Sequence, residues 1–197
     1  VIAAVGNDPL GSFLIRTLKE NGVDTSHVVR KNARTTITFV ANEPETGERT
    51  FLFYRAPWAK TADSMLSPED IDPDYIASTR YLHLSGFACS QGSARQAIFK
   101  AVEVAKRKGV KVTFDPTVRV DVWDSPDEMK RVYDYLLRRA DIALFSKDEV
   151  REVFALEDPF KAARKLLGYG VEIAAVKFGA EGALVATKIR DYVKVSA

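Results

Sequence analysis

With 197 residues, 46% of them hydrophobic and 28% charged, the chain has the composition of a folded protein with room for one α/β core, or one core with a small appendage. No apolar run approaches the ~20 residues of a membrane helix, and 29 basic residues interspersed with 27 acidic ones leave a net charge of +2 with no basic block. Neither a membrane nor a nucleic acid is therefore expected as a partner. The single cysteine, Cys89, excludes an intramolecular disulfide and, with only two histidines far from it, a Cys/His zinc cluster. That cysteine usage fits a cytoplasmic address, and the apolar Val1–Val5, with neither basic leader nor cleavage site, does not read as a secretory signal.

Val1–Val5 reads as a buried strand. A helix follows, with Pro9 in its first turn, Phe13, Leu14 and Leu18 at helical spacing, and Asn21-Gly22 as its stop. Residues 35–55 change character: Thr35–Val40 and Arg49–Tyr54 are rich in β-branched and aromatic residues around the turn-forming Glu43–Glu48, which predicts a β-hairpin. Alternation of Thr36 and Thr38 with Ile37 and Phe39 predicts one covered face and one polar face. Ala56–Asp63 is the best linker candidate, and Ser67-Pro68-Glu69-Asp70 reads as a cap and first turn of a helix.

From there strands and helices alternate. Strand Tyr81–Leu84, helix 91–108 closed by Gly109, strand Val110–Phe114, a helix from Ser125 to Arg139 and strand Ile142–Phe145 come in turn. The run Lys106-Arg107-Lys108 complements the dipole at its helix end. Two further helices end at Gly168-Tyr169-Gly170, before strand Ile173–Val176. Ala183–Ala186 and Tyr192–Val195 read as antiparallel strands joined by Thr187–Asp191. Such alternation predicts a mostly parallel sheet with helices on both faces. His83 is expected to be packed and hydrogen-bonded, and Trp58 and Trp123 to be packing residues.

In sheets of this kind ligands collect beyond the C-terminal strand ends. The loops there hold Ser85-Gly86, Asp115–Arg119, Ser146–Glu149 and Lys177–Gly179. Read residue by residue, Thr117 suits a cap or turn, Arg119 a salt bridge to Asp121 or Asp124, and Gly179 with Gly182 a turn. Ser146 with Asp148 and Glu149 reads as a helix cap with acidic residues in the first turn. Neither GxxxxGK[ST] nor a strand-following GxGxxG occurs.

Seven segments in order nevertheless carry a resemblance. They are Val5–Gly11 (VGxDxxG), Gly22–Ser26 (GVDT), Phe53-Tyr54-Arg55 with the later Leu66–Asp70 (SPED), Leu84-Ser85-Gly86, Phe114–Arg119 and Val176–Ala183. Together they resemble the ribokinase (PfkB) family of carbohydrate kinases, most closely the 2-keto-3-deoxygluconate kinases. The resemblance implies a ribokinase-like three-layer αβα sandwich with a mostly parallel sheet, a kinase core over 1–197 and a small β lid at about 35–55. It implies ATP-dependent phosphorylation of a sugar or sugar acid, with 2-keto-3-deoxygluconate first and fructose or another ketose second, and ATP and Mg2+ as cofactors. By the same match Phe53, Tyr54 and Arg55 touch the sugar, and Arg119 faces substrate and phosphate in support of catalysis. Thr117, Lys177, Gly179 and Gly182 approach the nucleotide, and Glu149 helps to organise magnesium.

The match has departures. Phe53 stands where a tyrosine is frequent, and Ser146 where the family has asparagine. The family's Gly-Gly-x-x-x-Asn segment would lie before Val1, and its Gly-Ala-Gly-Asp loop, with the anion hole and base, after Ala197. The expectation is therefore a core cut at both ends, with a non-catalytic sugar- or nucleotide-binding remnant as the competing reading. The hairpin edge makes a homodimer through residues 35–55 a further expectation.

Overall fold

The computed structural model describes residues 1–45, 47, 49–55, 57–189 and 192–196. The chain forms two units, Val1–Ile71 with Gln91–Ala97, and Asp72–Ser90 with Ile98–Ala197.

In the first unit, β1 (Ile2–Gly6), α1 (Pro9–Glu20) and β2 (His27–Lys31) form a strand–helix–strand turn, with β1 parallel to β2 from Ile2↔His27 to Gly6↔Lys31. Asp8 caps α1 by accepting from the Gly11 amide at 2.8 Å, and Gly22, at φ +74°, takes the left-handed turn after Asn21. β2 is absent from the sequence reading because its His-Val-Val-Arg-Lys letters carry only two apolar residues and no alternation.

β3 (Ile37–Asn42) and β4 (Arg49–Tyr54) are the expected hairpin, in register from Ile37↔Tyr54 to Asn42↔Arg49. Thr46 and Glu48 of its turn lie outside the described residues. The expected covered face is corrected. Directly opposed residues share a face, so Ile37 and Phe39 lie with Leu52 and Tyr54, and all four are exposed. The opposite face holds the half-buried Phe51 and Phe53, stacked 6.0 Å apart. The linker reading of 56–63 is corrected too. Ala56 is outside the described residues, but Thr61 and Ala62 are buried and Thr61 bridges to Arg34. Trp58 is 77% exposed, not packed. The helix expected from Ser67 is a single 3-10 turn, Pro68–Asp70, because the residue before Pro73 is held out of helical conformation.

The second unit starts its helices afresh with α2 (Pro73–Ala77), capped by Asp72. It continues as β5 (Tyr81–Ser85), α3 (Gly92–Lys108, begun in the first unit), β6 (Lys111–Asp115), α4 (Pro126–Leu137), β7 (Ile142–Ser146), α5 (Lys147–Phe154), α6 (Pro159–Gly168), β8 (Ile173–Lys177), β9 (Ala183–Thr187) and β10 (Val193–Val195). The sheet order is β10-β9-β8-β7-β6-β5, with β5 to β8 parallel and β9 and β10 antiparallel. Val112, Phe114, Ala143, Phe145 and Ala174 are fully buried along its centre. Trp123 packs edge-on to Tyr133 at 5.5 Å, as expected. His83 is exposed on the edge strand β5, and its Nδ1 lies 2.7 Å from Thr113 Oγ1; the packed reading of this histidine is corrected. Arg190 and Asp191 of the last turn lie outside the described residues. No helix among the described residues is long and apolar enough to cross a membrane.

Candidate active site

In the first unit the Val5–Gly11 segment is tied by one carboxylate. Asp8 Oδ1 accepts from the Gly11 amide and from Thr35 Oγ1, and Oδ2 from the Thr35 amide, each at 2.8 Å. Thr35 Oγ1 in turn accepts from the Gly6 amide at 2.9 Å. The turn is so close that a Cβ on Gly11 would lie 2.4 Å from the Gly6 carbonyl oxygen. The amides of Gly11 and Thr35 hold the Asp8 carboxyl down, from 3.8 to about 2. Its folded-state pKa is depressed, so the stability it contributes is present above the unfolded value and is lost as pH falls toward the folded one. Asp8→Asn is accordingly expected to lower the urea midpoint at neutral pH. The gap to the parent should close between about pH 4 and pH 2; a gap constant over that range would show that ionisation of Asp8 does not support the turn.

At the end of β4, Tyr54 is 53% exposed and Phe53 half-buried, while Arg55 is completely buried. Its Nε donates to Asp63 Oδ2 at 2.5 Å. Asp63 also accepts from the hydroxyls of Thr36 and Thr61. Burial pushes the Asp63 carboxyl up, but the Arg55 charge and these hydrogen bonds outweigh it and hold the group below its ordinary value. In place of a guanidinium open to a sugar carboxylate, or of a surface arginine, the structure has an internal ion pair. Asp63 was not anticipated, since nothing local marks a partner eight residues on.

In the second unit the C-terminal strand ends are joined by short polar contacts. A Cβ on Gly86 would lie 2.3 Å from the Pro116 carbonyl oxygen and 2.7 Å from the Tyr133 ring, so only glycine lets the loops after β5 and β6 meet. Tyr133 donates to that carbonyl at 2.8 Å, and burial pushes its hydroxyl up, so it stays a donor. Asp115, last in β6 and opposite Ser85 in register, accepts at Oδ1 from the amide and hydroxyl of Thr117, both at 3.0 Å, and at Oδ2 from Lys177 Nζ at 2.8 Å. Ser85 donates to Thr117 Oγ1 at 3.2 Å. Thr117 sits at φ +42°, a region that β-branched residues rarely occupy.

Ser146 caps α5 as expected, and Glu149 makes the cap reciprocal: Glu149 accepts from the Ser146 amide at 2.7 Å and Ser146 from the Glu149 amide at 3.2 Å. The other Glu149 oxygen accepts from the Val118 amide at 3.2 Å and so pins the loop carrying Arg119. Arg119 is half-buried, donates from Nη1 to the Val118 carbonyl at 2.6 Å, and lines an open groove of about 550 Å³ with Asp121, Asp148, Glu149 and Arg151. Gly179 (φ +60°) and Gly182 (φ +92°) form the β8–β9 turn, where Phe178 donates to the Gly182 carbonyl at 2.8 Å. A Cβ on Gly182 would collide with the Val195 carbonyl oxygen.

Thr117, Lys177 and Glu149 are thus brought to neighbouring strand ends through Asp115 and the Val118 amide, two groups that sequence reading did not single out. For a metal the described residues offer no direct cage, which leaves the expected contact of Glu149 through water untouched. Both Glu149 oxygens already accept backbone amides, and among the described residues no group of three or more His, Cys, Asp or Glu could hold an ion.

Parallel strands with polar loops gathered at their C-terminal ends are the architecture of an α/β protein of the doubly wound kind, the class in which ligands collect at that end of the sheet. The sequence model of the pfkB family carbohydrate kinase matches residues 1–196, and the chain belongs to that family. It is 34% identical to the 5-dehydro-2-deoxygluconokinase of Geobacillus thermodenitrificans, over 95% of this chain and 56% of the relative. The fructokinase of Klebsiella pneumoniae is 36% identical over 80% and 50%, and the 2-dehydro-3-deoxygluconokinase of Thermoproteus tenax 33% identical over 100% and 61%. The chain therefore spans 50–61% of the length of these curated relatives. Among solved structures, the fructokinase of Halothermothrix orenii superposes with a TM-score of 0.87 at 28% identity, over 100% of this chain and 67% of that one. The fructokinase of Vibrio cholerae in its fructose, ADP and calcium ion bound form gives 0.85 at 30% identity, over 100% and 62%. The fold is ribokinase-like α/β with a mostly parallel sheet, as the resemblance implied.

Proposed function

We propose that this protein transfers a phosphoryl group from ATP to a hydroxyl of a sugar or sugar acid, with 2-keto-3-deoxygluconate as its first acceptor. The observation that carries the reading is the cluster of Asp115, Thr117, Lys177 and the Glu149-pinned loop at the strand ends of a pfkB-family chain. Phosphoryl transfer asks the protein for positioning and for positive charge around the moving group. Lys177 and Arg119 are the cations assigned to it, and Thr117 the hydroxyl near the donor phosphates. Because the described residues build no metal cage, Mg2+ enters the proposal held by nucleotide phosphates and water, a mode this ion prefers. No residue of the chain is assigned as the base.

For the acceptor, relatives named for keto-deoxygluconates and for fructose support the two leading choices. Tyr54 is exposed enough to meet a ligand, whereas Arg55 is assigned to hold its loop. The test is ATP consumption by the longest natural form of the protein with 2-keto-3-deoxygluconate, fructose, ribose and a nucleoside, and with Arg119→Ala as control. Turnover with 2-keto-3-deoxygluconate above the rest is expected. Sugar binding without turnover would favour the non-catalytic reading.

The proposal includes a homodimer through the hairpin. Ile37, Phe39, Leu52 and Tyr54 share one face and are 41–59% exposed, a contiguous apolar surface suited to a second copy. Sedimentation should give the mass of a dimer, and Phe39→Ser with Leu52→Ser that of a monomer; a parent of monomer mass would remove the dimer.

A further inference from the structure

We propose that Asp115 is a positioning residue, which holds Lys177 and Thr117 where they meet the phosphates of the nucleotide; this rests on the kinase reading above. β6 and β8 are not neighbours, since β7 lies between them, so the contact of Lys177 Nζ with Asp115 Oδ2 at 2.8 Å reaches across the end of an intervening strand. The lysine side chain is 46% exposed, and an ion pair at such a position adds little to stability. What the pair does accomplish is to fix a long, flexible ammonium at one place on the rim. The ammonium has three donors, and Asp115 takes one.

The other carboxylate oxygen fixes Thr117. It accepts from both the amide and the hydroxyl of Thr117 at 3.0 Å, and Ser85 adds a hydrogen bond to the hydroxyl at 3.2 Å. These contacts sustain a threonine at φ +42°, a conformation that persists only where its surroundings impose it and that clusters at functional sites. One carboxylate thus orders a cation and a hydroxyl from two different loops. A helix cap or a plain turn would need only the Thr117 half of this arrangement.

The test is calorimetric ATP titration, which needs no acceptor, of the longest natural form and of Asp115→Asn, Lys177→Met, Lys177→Arg and the Asp115→Asn/Lys177→Met double variant. Asp115→Asn keeps an acceptor for Thr117 but loses the charge that holds Lys177. The expected result is a Kd for ATP raised about tenfold in Asp115→Asn and in Lys177→Met, with the double variant no weaker than either single one. Lys177→Arg, which keeps the charge on a longer, planar group, should recover part of the loss, and sugar affinity should be unchanged throughout. Lys177→Met, altered at an exposed side chain, keeps the test alive if an Asp115 variant does not fold. ATP binding unchanged in Asp115→Asn or in Lys177→Met, or losses that multiply in the double variant, would overturn the inference. A parent that does not bind ATP would instead overturn the kinase reading itself.

Discussion

Asp63→Ala is expected to destabilise the protein by about 3 kcal/mol, read as a fall in the urea midpoint at unchanged m-value. Arg55 is completely buried and its Nε rests on Asp63 at 2.5 Å. Removing the carboxylate takes the charge partner from a guanidinium that is enclosed by the protein. Breaking a buried pair in this way costs about 3–5 kcal/mol, and the lower end applies because Asp63 is 32% exposed. The same carboxylate accepts from Thr36, just before β3, and from Thr61, so the residues between the hairpin and the 3-10 turn at Asp63–Met65 should loosen together. Replacing both partners, Arg55→Met with Asp63→Leu, should recover most of the loss, since the desolvation penalty goes with the charges. A single variant within about 0.5 kcal/mol of the parent would show that the pair does not hold this segment.

Arg119→Ala is expected to lower kcat/KM for the phosphorylated sugar about a hundredfold, the scale of losing one well-placed charge-assisted donor to a transferring group. The backbone around Arg119 is held by other residues. Glu149 binds the Val118 amide and Asp115 the Thr117 amide, so the loop should keep its course when the guanidinium is removed. Thermal stability should therefore change little. Arg119→Lys should restore charge without the planar fork and recover only part of the rate. An alanine variant within twofold of the parent would take Arg119 out of the reaction and leave it as a loop residue lining the groove.

The order of elements was legible because its signals are local. β-Branched and aromatic residues around a turn mark β3 and β4, and helical spacing marks α1 and α3. Pro9 in a first turn, Ser125, and the serine cap at Ser146 mark helix starts. Local signals failed where neighbours override them. The Pro73 step breaks the helix expected from Ser67, and β2 owes its existence to pairing with β1 rather than to its own letters. The covered side of the hairpin was misjudged because alternation separates two faces without saying what packs on either.

At the site, the sequence by itself determined the family, the loops that collect at the strand ends, and the glycines at Gly86, Gly179 and Gly182. Each of these is written in contiguous residues, and a glycine is forced by the backbone around it. Only the tertiary structure decided what the charged side chains do: Arg55 is spent on Asp63, Glu149 serves two loops, and Asp115 meets Lys177 across 62 residues of chain. A charge has no periodicity to reveal its partner. Its pairing is set by which strands end side by side, and that order exists only once the sheet has formed.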